Sequence, residues 1–310
     1  MVRSDCIHEV PHGAHVDPLR GDVTLGGKLV AHYADCPEAP RTIGGSRQGP
    51  APMAGGAPVP AADSGYVEQV LNLSTSNFVQ LQGYLIVPST PTVAASEGAG
   101  TTFLWNGIES DNEDALLQPV LQYGTSDLNP GGYDENYWML GVWAVFQNNT
   151  FKVTGACAND DAFCYGGPPP VNVGDYVYLL TQALPGSGAI LDWSIIIEDI
   201  DNGVNWALDV DLEGYQWGRA YGAVLETADQ FGVGCAGFPA NGSATFLGST
   251  LSTGTSIYAA TEVNGGWTSQ DCFNNTICGT YSYGYVNCNF GPPTINPNGL
   301  TSNFTLSWTP

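Results

Sequence analysis

Short runs of alternating apolar and polar residues recur along this chain, separated by clusters of Gly, Pro and Asn. Alternation places successive side chains on opposite faces of an extended strand. It predicts strands near 78–87, 101–106, 115–123, 137–147, 175–184, 189–199, 204–212, 220–226, 242–251, 256–263 and 301–309. No stretch carries the 3.6-residue periodicity of an amphipathic helix. The expected fold is all-β, a two-sheet antiparallel β-sandwich of jelly-roll, concanavalin-like type.

Two of these runs carry polar residues among apolar ones. In 115–123, alternation puts Leu117, Pro119, Leu121 and Tyr123 on one face and Leu116, Gln118, Val120 and Gln122 on the other. Two amides then project together among apolar neighbours, and buried amides need partners. Pro119 cannot donate to a ladder, which predicts a bulge or an edge beside Gln118. In 220–226, Tyr221, Ala223 and Leu225 are expected on one face, with Gly222, Val224 and Glu226 on the other. Glu226 ends a mostly apolar run, where desolvation raises a carboxyl toward the range a general acid needs.

Composition divides the chain. Residues 37–65 are rich in Pro, Gly and Ala and read as an extended linker. They separate a small module, residues 1–36, from a main β-sandwich domain, 66–310. The full chain of 310 residues carries a formal charge of −23. Most of that charge lies beyond residue 65, where Lys152 and Arg219 are the basic residues. Such a surface does not neutralise phosphates, so nucleic acid is excluded as a partner. All four histidines (His8, His12, His15 and His32) precede the main domain, which excludes a Ser-His-Asp triad, a Cys-His dyad or a His-ligated zinc site within it. With almost no cations to repel one another in acid, the main domain is expected to survive low pH.

Eight cysteines without metal-type spacing read as disulfides in an oxidising compartment. The expected pairs are Cys6–Cys36, Cys157–Cys164, Cys272–Cys278 and Cys235–Cys288. Glycosylation sequons begin at Asn72, Asn148, Asn241, Asn274 and Asn303. No apolar run is long enough to span a membrane as a helix. A secreted glycoprotein is expected, its export signal removed or lying upstream of this N-terminus.

The order of several segments resembles the eqolisin, or glutamic peptidase, family. The run Trp105-Asn-Gly107-Ile-Glu-Ser-Asp, followed by Leu116-Leu117-Gln118, resembles the family's Trp-x-Gly-Ile-Asp segment and its catalytic Leu-Gln step. Val173-Gly174-Asp175-Tyr-Val resembles a Gly-Asp strand start. Ala223-Val-Leu-Glu226-Thr-Ala-Asp229-Gln-Phe231 resembles the segment holding the catalytic Glu, although Thr227 stands where the family often has an aromatic. Phe238-Pro-Ala-Asn-Gly-Ser-Ala-Thr-Phe246 resembles the closing strand. Shifting the match by one gap would instead put Gly222 at the catalytic position and leave the site without its acid.

The resemblance implies a precursor-borne acid endopeptidase acting on polypeptides. Glu226 would be general base and acid. Gln118 would activate water and stabilise the oxyanion. Trp105 and Gln122 would contact substrate. No metal, cofactor or covalent intermediate is implied, and a monomer is expected. Residues 1–36 are then a pro-segment or accessory module, its histidines and basic residues docked on the acidic domain and loosened in acid.

Two other readings stand beside this one. Asp209, Asp211 and Glu213 share a strand face and loosely resemble the acidic signature of laminarinase-like glycoside hydrolases, though a solvated face or a Ca²⁺ site also fits. Trp138, Trp143, Trp193, Trp206, Trp217 and Trp267 either fill the core or, if exposed in a row, stack on sugars.

Overall fold

The computed structural model describes residues 6–36, 63–94, 100–124, 136–146, 149–153, 170–185, 190–230, 234–263, 265–271 and 288–309. The described strands, in chain order, begin with β1 (Ile7–Glu9), β2 (Ala14–Asp17), β3 (Asp22–Leu25), β4 (Lys28–His32), β5 (Asp63–Leu73) and β6 (Phe78–Ile86). They continue with β7 (Thr101–Glu109), β8 (Ala115–Tyr123), β9 (Trp138–Phe146), β10 (Thr150–Val153), β11 (Tyr176–Pro185) and β12 (Ile190–Asp199). The last are β13 (Val204–Glu213), β14 (Arg219–Gln230), β15 (Ser243–Gly254), β16 (Ala260–Val263), β17 (Thr268–Asp271), β18 (Asn289–Asn298) and β19 (Thr301–Thr309). Among the described residues the helical pieces are two 3₁₀ turns, Gly234–Gly237 and Ile257–Ala259.

Two sheets pack face to face. The first has eight strands in the order β1-β10-β9-β8-β7-β14-β5-β17. The second has eleven, β18-β19-β15-β6-β11-β12-β13-β2-β3-β4, with β16 paired to β15. The core between them is built by alternation. In β19, Ser302, Phe304, Leu306 and Trp308 point inward and their neighbours outward. In β13, Leu208, Val210 and Leu212 are buried while Asp209 and Asp211 face out. The apolar ones among these join Phe78, Leu104, Leu121 and Trp193 in one cluster.

Each predicted strand falls on an observed one, except that Ile257–Ala259 forms the second 3₁₀ turn before β16 begins. Strand β5 escapes the alternation rule because Glu68, Gln69 and Asn72 are buried along with its apolar residues. They are held by tertiary hydrogen bonds, including Asn72 Nδ2 to the Gly265 carbonyl at 2.8 Å and the Ser307 N–H to Glu68 Oε2 at 3.1 Å. Strand β18 escapes because Pro292, Pro293 and Pro297 interrupt it, which its edge position tolerates.

The expectation of purely antiparallel sheets fails at two places. β1 runs parallel to β10 (Ile7 opposite Thr150), and β2 runs parallel to β13 (Ala14 opposite Leu208). Both strands come from far along the chain relative to their partners, so no hairpin forces them antiparallel. The N-terminal residues thereby add to edges of both sheets. Disulfides Cys6–Cys36 and Cys235–Cys288 are formed as expected. The other two expected pairs lie outside the described residues.

Strand β14 contains a bulge. Its register shifts between Tyr221 and Ala223 against β5, and between Tyr221 and Val224 against β7. This overturns the strict alternation expected for 220–226. Tyr221 lies on the outer face with Val224, while Ala223 and Leu225 join the core between the sheets. A bulge inserts one unpaired residue and so resets which side chains share a face. Gly222 is that residue, and a Cβ there would sit 2.5 Å from the Phe304 ring and 3.0 Å from Trp267. Gly222→Ala is therefore expected to lose about 1–3 kcal/mol by overpacking. Urea unfolding measures it, and adding Phe304→Leu should restore part of the loss.

Candidate active site

Strands β7, β8 and β9 are buried at every position, so the outer face of the first sheet is apolar too. A second cluster lies there, including Tyr66, Phe103, Trp105, Val120, Trp143 and Tyr221. Gln118, Gln122 and Glu226 fall on this same face. The ladder explains Pro119: β7 and β8 pair from Thr102 to Trp105 and again at Ile108 and Glu109, with no pairs between. Pro119 occupies that gap in a central strand.

Glu226 is partly exposed. Trp105, fully buried, donates its Nε1–H to Glu226 Oε2 at 2.9 Å. Trp105 packs edge-on against Tyr66 and Tyr221, at 5.5 and 5.4 Å between centroids, and those two rings meet at 6.0 Å. Its indole is thus fixed by packing before it meets the carboxyl. Burial pushes Glu226 up to about 7, against the opposing effect of the Trp105 hydrogen bond.

The two glutamines stand differently. Glu226 is opposite Phe103 on β7, and Phe103 is opposite Gln122 on β8, so Gln122 shares Glu226's row. Gln122 Nε2 donates to the Gly124 carbonyl at 2.9 Å, and its Oε1 is buried without a hydrogen-bond partner. Gln118 lies opposite Trp143 and beside Gly107, whose missing side chain admits it: a Cβ on Gly107 would meet Gln118 Cβ at 3.2 Å and the Leu117 carbonyl oxygen at 2.6 Å. Gln118 Oε1 is likewise buried without a partner. From the register, Gln118 and Glu226 are two strands and four positions apart, roughly 16 Å between Cα atoms on a flat sheet. Gln122 and Glu226 are about 10 Å apart on the same basis. The site brings Trp105 and Glu226 together and sets Gln122 in their vicinity. Convergence of Gln118 and Glu226 on one water is not what this register produces.

A second carboxyl on the same face was not singled out from the sequence. Glu109 is buried, and Tyr221 donates its hydroxyl to Glu109 Oε2 at 2.6 Å. Arg219 lies 3.7 Å from the same oxygen and 2.7 Å from Glu113. Burial raises Glu109 to about 7, although Tyr221 and Arg219 both favour its charged form. Lys152 is buried as well, 3.6 Å from Glu9 and 5.3 Å above the Trp143 ring. The signal available in the sequence was scarcity. Beyond residue 65 the basic residues are Lys152 and Arg219, and both are spent on acids at this face.

Among the described residues, one group has donor atoms close enough to hold a metal ion. His15, Asp192 and Asp211 offer atoms within 4.8 Å of one another on the outer face of the second sheet. The His15–Asp211 contact at 3.0 Å accounts for two of the three. Four of the tryptophans, Trp138, Trp143, Trp193 and Trp217, are buried, so they form no exposed row for sugars.

The chain is thus a two-sheet β-sandwich with one buried and one part-buried carboxyl, Glu109 and Glu226, on the outer face of one sheet. No protein-family model matches the sequence, and no curated protein matches it. Among solved structures, the fold is similar to scytalidoglutamic peptidase with a peptide-based transition state analogue. The TM-score is 0.44 at 12% identity, over 79% of this chain and 100% of that one. It is also similar to SCP-B, an eqolisin-family peptidase in complex with the tripeptide Ala-Ile-His (TM-score 0.42, 11% identity, 79% of this chain and 100% of that one). A third is aspergilloglutamic peptidase from Aspergillus niger (TM-score 0.35, 14% identity, 68% and 99%). Superpositions this loose transfer no residue roles, so function rests on this chain's own side chains.

The raised carboxyls set the pH dependence of stability. Glu109 and Glu226 each rise from 4.5 to about 7, and Asp211 from 3.8 to about 6. The folded state therefore holds protons that the unfolded chain releases. Each contribution is fully present below the unfolded pKa and is lost as pH rises through the folded one. Unfolding free energy by urea titration should fall from pH 4.5 to pH 8, with Glu109 responsible for about 3 kcal/mol. Glu109→Gln should flatten that part of the curve.

Proposed function

We propose that this chain is a secreted acid endopeptidase of glutamic-peptidase type, acting as a monomer on polypeptides. The observation that carries the reading is the Glu226 carboxyl, desolvated and fixed by the Trp105 N–H, on a face with two glutamine carbonyls that have no partner. No histidine lies beyond His32, and those that the N-terminal strands bring onto the sheets are engaged elsewhere, His8 with Asn149 and His15 with Asp211.

As the carboxylate, Glu226 accepts a proton from a water as that water attacks the scissile carbonyl. As the acid, it returns the proton to the departing amine. A glutamine amide N–H stabilises the oxyanion. Gln122 stands in Glu226's row and Gln118 four positions away, so both are candidates for that role. A carboxyl near 7 is protonated in acid when the site is dry. A bound water and an amide N–H directed at the carboxylate favour the charged form and draw the value down. Residues 1–36 fit a pro-segment or accessory module, held by Glu9 against Lys152 and His15 against Asp211.

Hydrolysis of casein across roughly pH 2–7 tests the proposal. Glu226→Gln is expected to lose about 10²–10⁴-fold in kcat. Of Gln118→Ala and Gln122→Ala, the oxyanion partner should lose about 10²–10³-fold. Because Glu226 acts first as the carboxylate, its protonation sets the acidic limb, which should lie near 7 in kcat/KM, which reports the free enzyme, and lower in kcat, which reports the complex. Cleavage that survives Glu226→Gln would remove Glu226 from the reaction.

A further inference from the structure

The outer face of the second sheet carries an open groove of about 410 Å³ that crosses four strands. Its size is that of a small-ligand site. Its central row is formed by register partners: Tyr84 on β6 is opposite Tyr178 on β11, and Tyr178 is opposite Glu198 on β12. The two rings lie 5.3 Å apart, tilted at 45°. Tyr84 is 38% exposed, so its ring is open to a ligand.

The surroundings keep that ring uncovered. β15 bulges beside Tyr84, with a register shift between Leu247 and Thr250. Gly248 sits in the bulge at φ +59°, and its Cβ position lies 3.9 Å from the Tyr84 ring. A residue other than glycine would be strained there and would cover the ring edge. On the other side, the Tyr178 hydroxyl donates to Gln82 Oε1 at 2.8 Å. That bond orients the Gln82 amide and leaves its N–H₂ as a donor, while Glu198 supplies acceptor oxygens. One ring face, one double donor and one double acceptor thus meet in a shallow trough.

The chemistry selects the occupant. Among the described residues no cation lines the groove, Glu198 is in it, and the chain carries −23, so anionic ligands are repelled. β6, β11 and β12 each have neighbours on both sides, so an extended peptide finds no free backbone edge to pair with. A pyranose ring offers an apolar C–H face for the tyrosine and vicinal hydroxyls that both donate and accept. We propose that this groove binds a neutral β-linked oligosaccharide, with one sugar ring stacked on Tyr84 and its hydroxyls shared between Gln82 and Glu198. The site lies on the opposite sheet from Glu226 and does not depend on the peptidase reading.

Calorimetric titration of the full chain with cellohexaose tests this. A Kd on the order of 1 mM is expected. Tyr84→Ala should weaken it about tenfold or more. Glu198→Gln and Tyr178→Phe should each weaken it several-fold, the latter by releasing Gln82. Casein cleavage should be unchanged in Tyr84→Ala, and the sugar titration reads out even if the chain cleaves nothing. Absence of cellohexaose binding by the wild type, or binding undiminished in Tyr84→Ala, would overturn the proposal. So would displacement of the sugar by an unstructured peptide at equal concentration.

Discussion

Burial of both faces of the first sheet is the constraint from which the rest follows. A sheet with one wet face keeps polar side chains on that face at little cost. Strands β7, β8 and β9 have no wet face. Every polar group placed there must find a partner or carry a desolvation cost of roughly 1–3 kcal/mol. Glu226 has Trp105, Glu109 has Tyr221, and Lys152 has Glu9. The carbonyl oxygens of Gln118 and Gln122 have none. Unpartnered atoms also occur in the core, at Trp138 Nε1 and Trp193 Nε1, so it is the two amide oxygens together with a desolvated carboxyl on one face that set this face apart.

The bulge in β14 makes this arrangement possible. Without the extra residue at Gly222, Tyr221 would point into the core with Ala223, and Glu109 would lose its hydrogen-bond donor. With it, Tyr66, Trp105 and Tyr221 form a closed set of edge-to-face contacts. That set links the two carboxyls, since Trp105 donates to one and Tyr221 to the other. Arg219 completes the second centre. Losing it would remove a group that favours the charged form of Glu109 and so shift that carboxyl further toward its protonated form.

The strands were legible because period-two alternation survives wherever one face meets the core. The faces of β8 were read correctly, with Leu117 and Leu121 inward and Gln118 and Gln122 outward. Three things were not legible. Strand β5 hid its character behind buried polar residues whose partners lie far away in sequence. The parallel pairings of β1 and β2 depend on contacts across more than a hundred residues. The relation of Glu226 to the glutamines depends on register across β14, β7 and β8, and a single bulged glycine shifts it. Local pattern determines which face a side chain takes; only long-range pairing determines its row.

The N-terminal strands show how charge and backbone pairing act together. β1 and β2 each add to an exposed edge, one per sheet, and an unpaired edge is a liability in any sandwich. Each also brings a polar side chain to a titratable group on its new neighbour. β1 presents Glu9 to Lys152, which would otherwise be a lone buried ammonium beside Trp143. β2 presents His15 to Asp211, which faces Asp192 directly across the ladder. Two carboxylates opposed in this way repel. Desolvation and the contact with Asp192 raise Asp211 to about 6, and His15 opposes that rise. The parallel strands therefore satisfy hydrogen bonds and charge at the same positions, which ties a segment from the far end of the chain to both sheets.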